Sequence, residues 1–250
     1  MLAGPELRAC SSHRVGRAAW LCYSTVVMRV ADRDRAGASF GVVGRFARRV
    51  AVAGVALAAL LVPAPAARAA GSATAAIDAL HATMLAVIRD AATTTYQQRF
   101  DTLAPAIDKA YDLDFMGRKS LGKGFDALSA DDQKRWLAAF RTYMIANFAG
   151  RFKTFDGQKF ETLGEEPAAQ DTVLVKSRMI DPKETVDLNY RMRKTESGDW
   201  KVVDVYLKGT VSELALRRSD FTATLDREGF PALLSSVEAK IADLAAGKAT

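Results

Sequence analysis

Residues 117–123 have the glycine and lysine spacing of a nucleotide phosphate-binding loop, with glycines at 117 and 122 and a lysine at 123. Such a loop needs a serine or threonine after the lysine to hold magnesium, and Gly124 stands there instead. It also needs a buried strand before it, whereas residues 113–116 form a short, polar segment. We therefore expect no nucleotide site in this segment.

His81 is the only histidine after residue 69, and the second histidine of a zinc-protease motif is absent. Because one ligand does not make a metal site, we expect a surface histidine on the polar or boundary side of a helix. No Gly-x-Ser-x-Gly nucleophile motif occurs. The adjacent acids Asp131 and Asp132 are typical of a helix cap. The sequence thus predicts no catalytic residue, no metal and no cofactor.

Asp204 is the remaining candidate, because it lies inside an apolar run between Val203 and Val205. A buried carboxylate is costly unless it is paired or hydrogen-bonded. We expect a structural ion pair with Arg218 or with its neighbour Arg217. The alternatives are contact with a ligand head group or a partner protein, and a role as the general base of an enzyme.

Residues 1–69 have the features of a leader with a secretory signal peptide. Arginines between residues 45 and 49 precede a 13-residue apolar run, residues 50–62, and small residues with prolines follow. A membrane-spanning helix needs roughly 20 residues, so the run is typical of a signal peptide. We expect cleavage near Ala66 to Ala69 and a mature protein, residues 70–250, in the periplasm.

The leader also dominates the composition. It holds 10 of the 35 Lys and Arg residues, 3 of the 29 acidic residues and both cysteines, Cys10 and Cys22. The rest of the chain has a net charge of −1 and no cysteine, which argues against nucleic-acid binding, disulfides and thiolate catalysis. Because residues 1–44 are long for a signal peptide, we hypothesise that translation starts later, at Met28, or at Val42 or Val43 through a non-ATG codon.

Apolar residues recur at helical spacing before and after a central region of period two. They predict helices, in chain order, over 74–90, 96–111, 114–125 (a short helix and a loop), 129–150, 211–227 and from Pro231 onward. Pro105 is expected to kink or split the second of them. The central region predicts four strands, 159–165, 172–180, 185–193 and 200–208.

Short, turn-rich connections between the strands indicate an antiparallel meander. The order helices, sheet, helices predicts the α+β class: an antiparallel four-stranded sheet packed with N- and C-terminal helices. About 180 residues suit a single domain. The many aromatic residues form either a solid core or the wall of an apolar cavity that binds acyl chains or polycyclic lipids by burial.

Several segments resemble the periplasmic toluene-tolerance family, whose best-known member is MlaC. The segments are Phe115-Met-Gly-Arg118, Ser129-Ala-Asp-Asp-Gln133 leading into Trp136, Gly198-Asp-Trp-Lys-Val-Val-Asp204 and Arg218-Ser-Asp-Phe221. The resemblance extends from about Ile77 to Leu234. Residues 209–215, before Arg217, are similar to the hopanoid-associated HpnM branch of this family.

The resemblance implies a lipid carrier, not an enzyme, whose sheet and helices enclose an apolar pocket for lipid tails. It implies a hopanoid or phospholipid cargo, an inner-membrane transporter of ABC or RND type as partner, and an outer-membrane complex as a second partner. Asp204 and Arg218 stand at positions typical of the family. The residues that we expect to contact lipid are Phe140, Tyr143, Phe148, Phe152, Val186, Leu188, Tyr190, Met192, Val203, Val205, Leu214 and Phe221.

Two alternatives to a carrier remain open. A periplasmic enzyme would use the same cavity with Asp204 as its general base. An adaptor that binds only protein would have a solid core, and lipid that co-purifies with the chain would separate a carrier from it.

Overall fold

The structure is a computed structural model that describes residues 71–248. Residues 1–70 and 249–250 lie outside this range, and so do the predicted signal peptide, its cleavage site, the later start sites and both cysteines. Among the helices within 71–248, none is long and apolar enough to cross a bilayer.

Within the described range, helices flank a central sheet in the order that the sequence predicts. The helices are α1 (Ala73–Arg89), α2 (Tyr96–Ala110), α3 (Leu113–Leu121), α4 (Lys123–Asp126), α5 (Ala130–Arg151) and α6 (Glu213–Ala245). The strands are β1 (Lys159–Ala168), β2 (Thr172–Ile180), β3 (Thr185–Lys194), β4 (Trp200–Leu207) and β5 (Val211–Ser212). The predicted α+β class is confirmed.

Side-chain caps fix where several helices begin. The Ser72 hydroxyl accepts a backbone hydrogen bond at the start of α1, and Thr95 and Gln98 form a reciprocal capping box at the start of α2. At α5 the Ser129 hydroxyl accepts from the Asp132 amide at 3.1 Å. Each cap stabilises its helix by about 1 kcal/mol. The predicted start of the long helix at Ser129 is therefore confirmed.

The strands form one antiparallel sheet in chain order, β1-β2-β3-β4-β5. The predicted four-strand meander is thus present, and the two-residue β5 is added to it. Two irregularities interrupt the register. One lies in β1 between Thr162 and Gly164. The other leaves Val203 of β4 unmatched, because Arg191 pairs with Asp204 whereas Met192 pairs with Val202.

Helices cover one face of the sheet. In β3 the alternate residues Val186, Leu188, Tyr190 and Met192 are buried, whereas the residues between them are exposed or half-buried. The buried residues join one apolar cluster with residues of every helix from α1 to α6. This cluster, between one sheet face and the helices, is called the apolar layer below.

One edge of β4 is covered by the connection between α2 and α3. Tyr111 forms a parallel bridge with Val202, and the Asp112 amide donates to the Val202 carbonyl at 2.9 Å. The Asp112 carboxylate caps α3 and also accepts from Arg193 of β3 at 2.6 Å. The helices are therefore tied to the sheet at this edge by polar contacts as well as by the apolar layer.

The C-terminal region differs from its prediction in continuity. Instead of two separate helices, α6 runs from Glu213 to Ala245 with a break at Gly229, where φ is 80° and ψ is 172°. This backbone conformation is easily adopted by glycine alone. Pro231 follows in the first turn after the break, where its missing amide costs no helical hydrogen bond.

The N-terminal helices also differ in detail. Pro105 lies within α2, which is assigned as one helix and is not split. The region predicted as a short helix and a loop contains two helices, α3 and α4, separated by Gly122. Gly122 has φ 56° and ψ −128°, so only glycine fits there without strain.

Candidate functional site

Aromatic side chains of α5 and α6 pack edge to face at the centre of the apolar layer. The ring of Phe221 lies 5.2 Å from that of Trp136 and 6.0 Å from that of Tyr143, measured between centroids. Trp136 also lies 6.2 Å from Phe140. All four side chains are at most 2 % exposed. Rings in this arrangement form a close-packed wall.

A second aromatic group follows toward the C-terminal end of α5. Phe148 lies 6.2 Å from Tyr111 and 6.0 Å from Phe152, measured between ring centroids. Phe148 and Phe152 are only half-buried. The aromatic part of the layer therefore reaches the surface at this end of α5.

On the sheet side, His81 of α1 is buried, and the prediction of a surface histidine is wrong. Its Nε2 lies 3.0 Å from the Tyr190 hydroxyl, and its ring stacks on Phe160 with centroids 4.5 Å apart. Burial lowers the pKa of His81 to about 4, although the nearby Asp78 carboxylate acts in the opposite direction. The helical period places His81 on the polar or boundary side of α1, and the residues of β1 and β3 that cover it lie far from it in the sequence.

The residues predicted to contact lipid are largely brought together. With one exception they belong to the apolar layer or pack against it. The buried members are Phe140, Tyr143, Val186, Leu188, Tyr190, Met192 and Phe221, and the half-buried members are Phe148, Phe152, Val205 and Leu214. The exception is Val203, which is buried at the bulge of β4 outside this cluster.

Asp204 does not form the predicted ion pair with Arg218 or Arg217. Its Oδ1 accepts hydrogen bonds from the amides of Val205 at 2.8 Å and Leu214 at 3.1 Å. Its Oδ2 accepts from the Ser212 hydroxyl at 2.6 Å. The carboxylate is thus satisfied by the strand and by the first turn of α6, and it fixes the start of that helix to β4.

The two arginines take other positions. Arg218 is exposed and its guanidinium lies against Gly122, so close that a Cβ at Gly122 would stand 2.5 Å from Arg218 Nη2. Arg217 Nη2 lies 3.2 Å from Glu213 Oε2, and the guanidinium carbon lies 5.2 Å from the ring centroid of Tyr143. Arg217 therefore faces the aromatic wall, a position that the sequence did not indicate.

Two concave sites border α5. A groove of about 430 Å³ runs between α5 and the part of α6 after Gly229, and the residues that line it are Arg135, Ala138, Ala139, Thr142, Leu234, Glu238 and Ile241. A smaller cavity of about 20 Å³ lies near the end of α5 and is lined by Met144, Asn147, Phe148, Arg151 and Arg217. Phe148 is the predicted lipid contact that borders the smaller cavity.

The sequence profile of the MlaC protein family matches residues 78–239, more than half of the chain and nearly all of the described range. The chain belongs to the MlaC family. The resemblance noted in the sequence is thereby confirmed at the level of the family, and the HpnM branch stays a prediction.

A solved structure shares the fold of this MlaC-family chain. It is a phospholipid-binding protein from Ralstonia solanacearum in complex with a phospholipid, with a TM-score of 0.61 and 23 % sequence identity. The match covers 70 % of this chain and 99 % of the other. At this identity the likeness concerns the fold. No curated protein matches the sequence.

The segment that resembles a phosphate loop has a structural role in this member of the MlaC family. Residues 117–121 belong to α3, and the Gly117 carbonyl accepts from the Trp136 indole at 2.9 Å and from Ser120 at 2.7 Å. A helix at this position presents no loop amides to a phosphate. Within residues 71–248, no group of three or more His, Cys, Asp or Glu side chains is placed to hold a metal ion.

Proposed function

We propose that this chain is a periplasmic lipid-binding carrier whose apolar layer accommodates lipid tails. The observation that carries the proposal is the apolar layer itself: one sheet face and six helices share a single cluster rich in aromatic residues, in a chain of the MlaC family. The phospholipid bound to the Ralstonia solanacearum protein of the same fold supports it. The residues predicted to contact lipid are proposed as the tail-binding set, without Val203.

A tail that enters the apolar layer replaces contacts that the side chains make with each other. Burial of a tail contributes about 25 cal/mol per Å² of apolar area, whereas separating close-packed rings loses their mutual contacts. Half-buried members such as Phe148, Phe152 and Val205 have fewer contacts to lose than Phe140 or Tyr143. We therefore infer that helices move away from the sheet on loading, beginning at the half-buried residues.

The same proposal includes the route of the lipid. The signal peptide predicted within residues 1–69 would deliver residues 70–250 to the periplasm as a single lipid-binding domain. There the carrier would exchange lipid with an inner-membrane transporter, of ABC or RND type, and with an outer-membrane complex. Similarity to the HpnM branch favours a hopanoid cargo, and the structure from Ralstonia solanacearum favours a phospholipid.

An enzyme with Asp204 as general base is less well supported. Both carboxylate oxygens of Asp204 accept hydrogen bonds from groups that hold the start of α6 in place. A base must instead reach a proton of the substrate. The position of Asp204 therefore favours an anchoring role.

Native mass spectrometry with solvent extraction tests the carrier. The mature protein is purified from the periplasm of its own host, so that the lipids which that host makes are available to it. We expect close to one hopanoid or phospholipid molecule per chain. A ligand-free mass after gentle purification would contradict the proposal and favour a protein-only adaptor.

A pair of charge variants on β3 tests where the lipid binds. Leu188→Asp places a carboxylate in the apolar layer, whereas Asn189→Asp places one on the opposite face of the same strand. We expect loss of lipid from Leu188→Asp and full retention in Asn189→Asp, with folding checked by circular dichroism. Val205→Asp, at a half-buried position, replaces Leu188→Asp if that variant does not fold. Equal retention by the folded variants would contradict the assigned pocket.

A further inference from the structure

The small cavity near the end of α5 combines polar and apolar walls. Asn147 and Arg151 come from α5, and Arg217 comes from the second turn of α6. Met144 and Phe148 complete the lining. Two arginines and one asparagine thus line a cavity at the edge of the apolar layer, because Phe148 also packs against that layer.

Asn147 is 6 % exposed and only half of its amide is satisfied. Its Nδ2 donates to the Tyr143 carbonyl at 2.7 Å, whereas its Oδ1 is buried without a hydrogen-bond partner. A flip of the amide would set Oδ1 against the Tyr143 carbonyl, so the donor contact determines the orientation. A buried acceptor without a partner is unfavourable unless a ligand or water supplies a donor.

The arginines give the same cavity hydrogen-bond donors that suit an anion. A guanidinium presents a planar set of donors that matches the oxygens of a phosphate. Arg217 is held in place by Glu213 at 3.2 Å and by the face of Tyr143, and its side chain is 17 % exposed. A phosphate that binds Arg217 would therefore meet a preorganised group and would share it with Glu213.

The volume limits what can enter. About 20 Å³ accommodates one small group, of the size of a water molecule, and not a whole phosphate. The phosphate would therefore lie at the rim with the arginines, and a single donor group linked to it would reach Asn147 Oδ1. The lipid tails would then extend past Phe148 into the apolar layer.

We propose that this cavity is a head-group subsite for phospholipids that carry a hydrogen-bond donor, such as the ammonium of ethanolamine or the hydroxyls of glycerol. The inference rests on the proposed carrier function and adds the chemistry of the head group. A choline head group offers a phosphate but no N–H or O–H donor, and diacylglycerol offers no phosphate. The affinity of the subsite for these lipids therefore depends on two separable contacts, one between the phosphate and the arginines and one between the donor group and Asn147 Oδ1.

Loading from vesicles tests this ranking. The mature protein is incubated with vesicles that contain phosphatidylethanolamine, phosphatidylcholine or diacylglycerol of identical acyl chains, and is then separated and extracted. Bound lipid per chain is measured by mass spectrometry. We expect phosphatidylethanolamine to exceed phosphatidylcholine by roughly tenfold in competition, since one hydrogen bond to a charged donor is at stake. Diacylglycerol is expected to bind least.

Variants separate the two contacts. Asn147→Leu removes the acceptor, so binding of phosphatidylethanolamine is expected to fall to the level of phosphatidylcholine, which stays unchanged. Arg217→Gln and Arg151→Gln are expected to lower both phospholipids toward diacylglycerol. Arg135→Gln, at the other end of α5, serves as the control and is expected to leave the ranking unchanged. If Asn147→Leu does not fold, the arginine variants still test the phosphate contact.

The failures of the subsite and of the carrier are distinguishable. Equal loading of the three lipids by the unmodified protein would overturn the subsite and leave the carrier intact. No loading of any lipid would overturn both. Calorimetry with inorganic phosphate distinguishes a lipid head group from a free anion. If free phosphate binds and the three lipids load equally, the arginines bind a soluble anion and a head-group role is overturned.

Discussion

His81 fits the apolar layer in its neutral form. Its folded pKa of about 4 lies below the value of roughly 6.5 for an unfolded chain, so folding disfavours protonation. The stability gained from neutral His81 is present above pH 6.5 and is lost as the pH falls toward 4. The loss would reach roughly 3 kcal/mol at the lower limit.

Urea unfolding at pH 7 and pH 5 measures this effect. The unmodified protein is expected to lose about 2 kcal/mol of unfolding free energy between these pH values through His81 alone. His81→Phe keeps an aromatic ring against Phe160 but cannot be protonated. The unfolding free energy that this variant loses between pH 7 and pH 5 is therefore expected to be smaller by about 2 kcal/mol. An identical pH dependence in the two proteins would contradict the assignment to His81.

Asp204 is a second single residue with a structural role, because it anchors the start of α6 to β4. The variant Asp204→Asn tests this role. The substitution replaces one acceptor oxygen by an NH₂ group that faces a donor, so we expect a loss of about 2 kcal/mol of unfolding free energy. Asp187→Asn, at an exposed position of β3, is the control and is expected to change stability little. Unchanged stability of Asp204→Asn with abolished turnover of some substrate would instead favour the enzyme alternative.

At the scale of elements, the strands were the most predictable part of the fold. The alternation in Val186, Leu188, Tyr190 and Met192 matches the buried face of β3, because a half-buried strand exposes every second residue. The predicted limits of β2 coincide with the observed ones, whereas β1 continues beyond its predicted end at residue 165, through Pro167 to Ala168. Local sequence thus determined the sheet and which of its faces carries the apolar layer.

The candidate site was less predictable, since it depends on contacts between distant elements. Asn147 lies within the apolar pattern of α5 and Arg217 within a charged turn, so neither position indicates the small cavity where they meet. Asp204 was recognised as unusual, but the helix amide and hydroxyl that satisfy it cannot be read from spacing. The packing of α6 against α5 decides the first case, and the position of the start of α6 against β4 decides the second.

A reversible link between α1 and β1 tests whether these elements separate during loading. The Thr162 hydroxyl of β1 donates to Asp78 of α1 at 2.5 Å, so Asp78→Cys with Thr162→Cys places two thiols across this contact. We expect the oxidised variant to take up several-fold less lipid from vesicles than its reduced form. Each single cysteine variant is the control, and equal uptake with and without the bridge would contradict movement of α1 away from the sheet.

At the scale of the whole molecule, the absence of cysteine from residues 70–250 makes folding independent of redox conditions. We expect residues 70–250 to show the same thermal midpoint, within about 1 °C, with and without dithiothreitol. Circular dichroism of protein made in the cytoplasm and in the periplasm provides the measurement. A midpoint that depends on the reductant or on the compartment would contradict the expectation that packing alone stabilises this domain.

The irregularity in β1 affects whether a second copy of this protein can add a strand to this edge of the sheet. An edge strand with regular, unpaired amides is a template on which another chain can add a strand, which is the first step of aggregation. In β1 the regular pairing is interrupted next to Gly164, acids follow at Glu165 and Glu166, and Pro167 has no amide to offer. The edge strand β1 is therefore a poor template for strand addition by a second copy of this chain, which disfavours aggregation through this edge of the sheet.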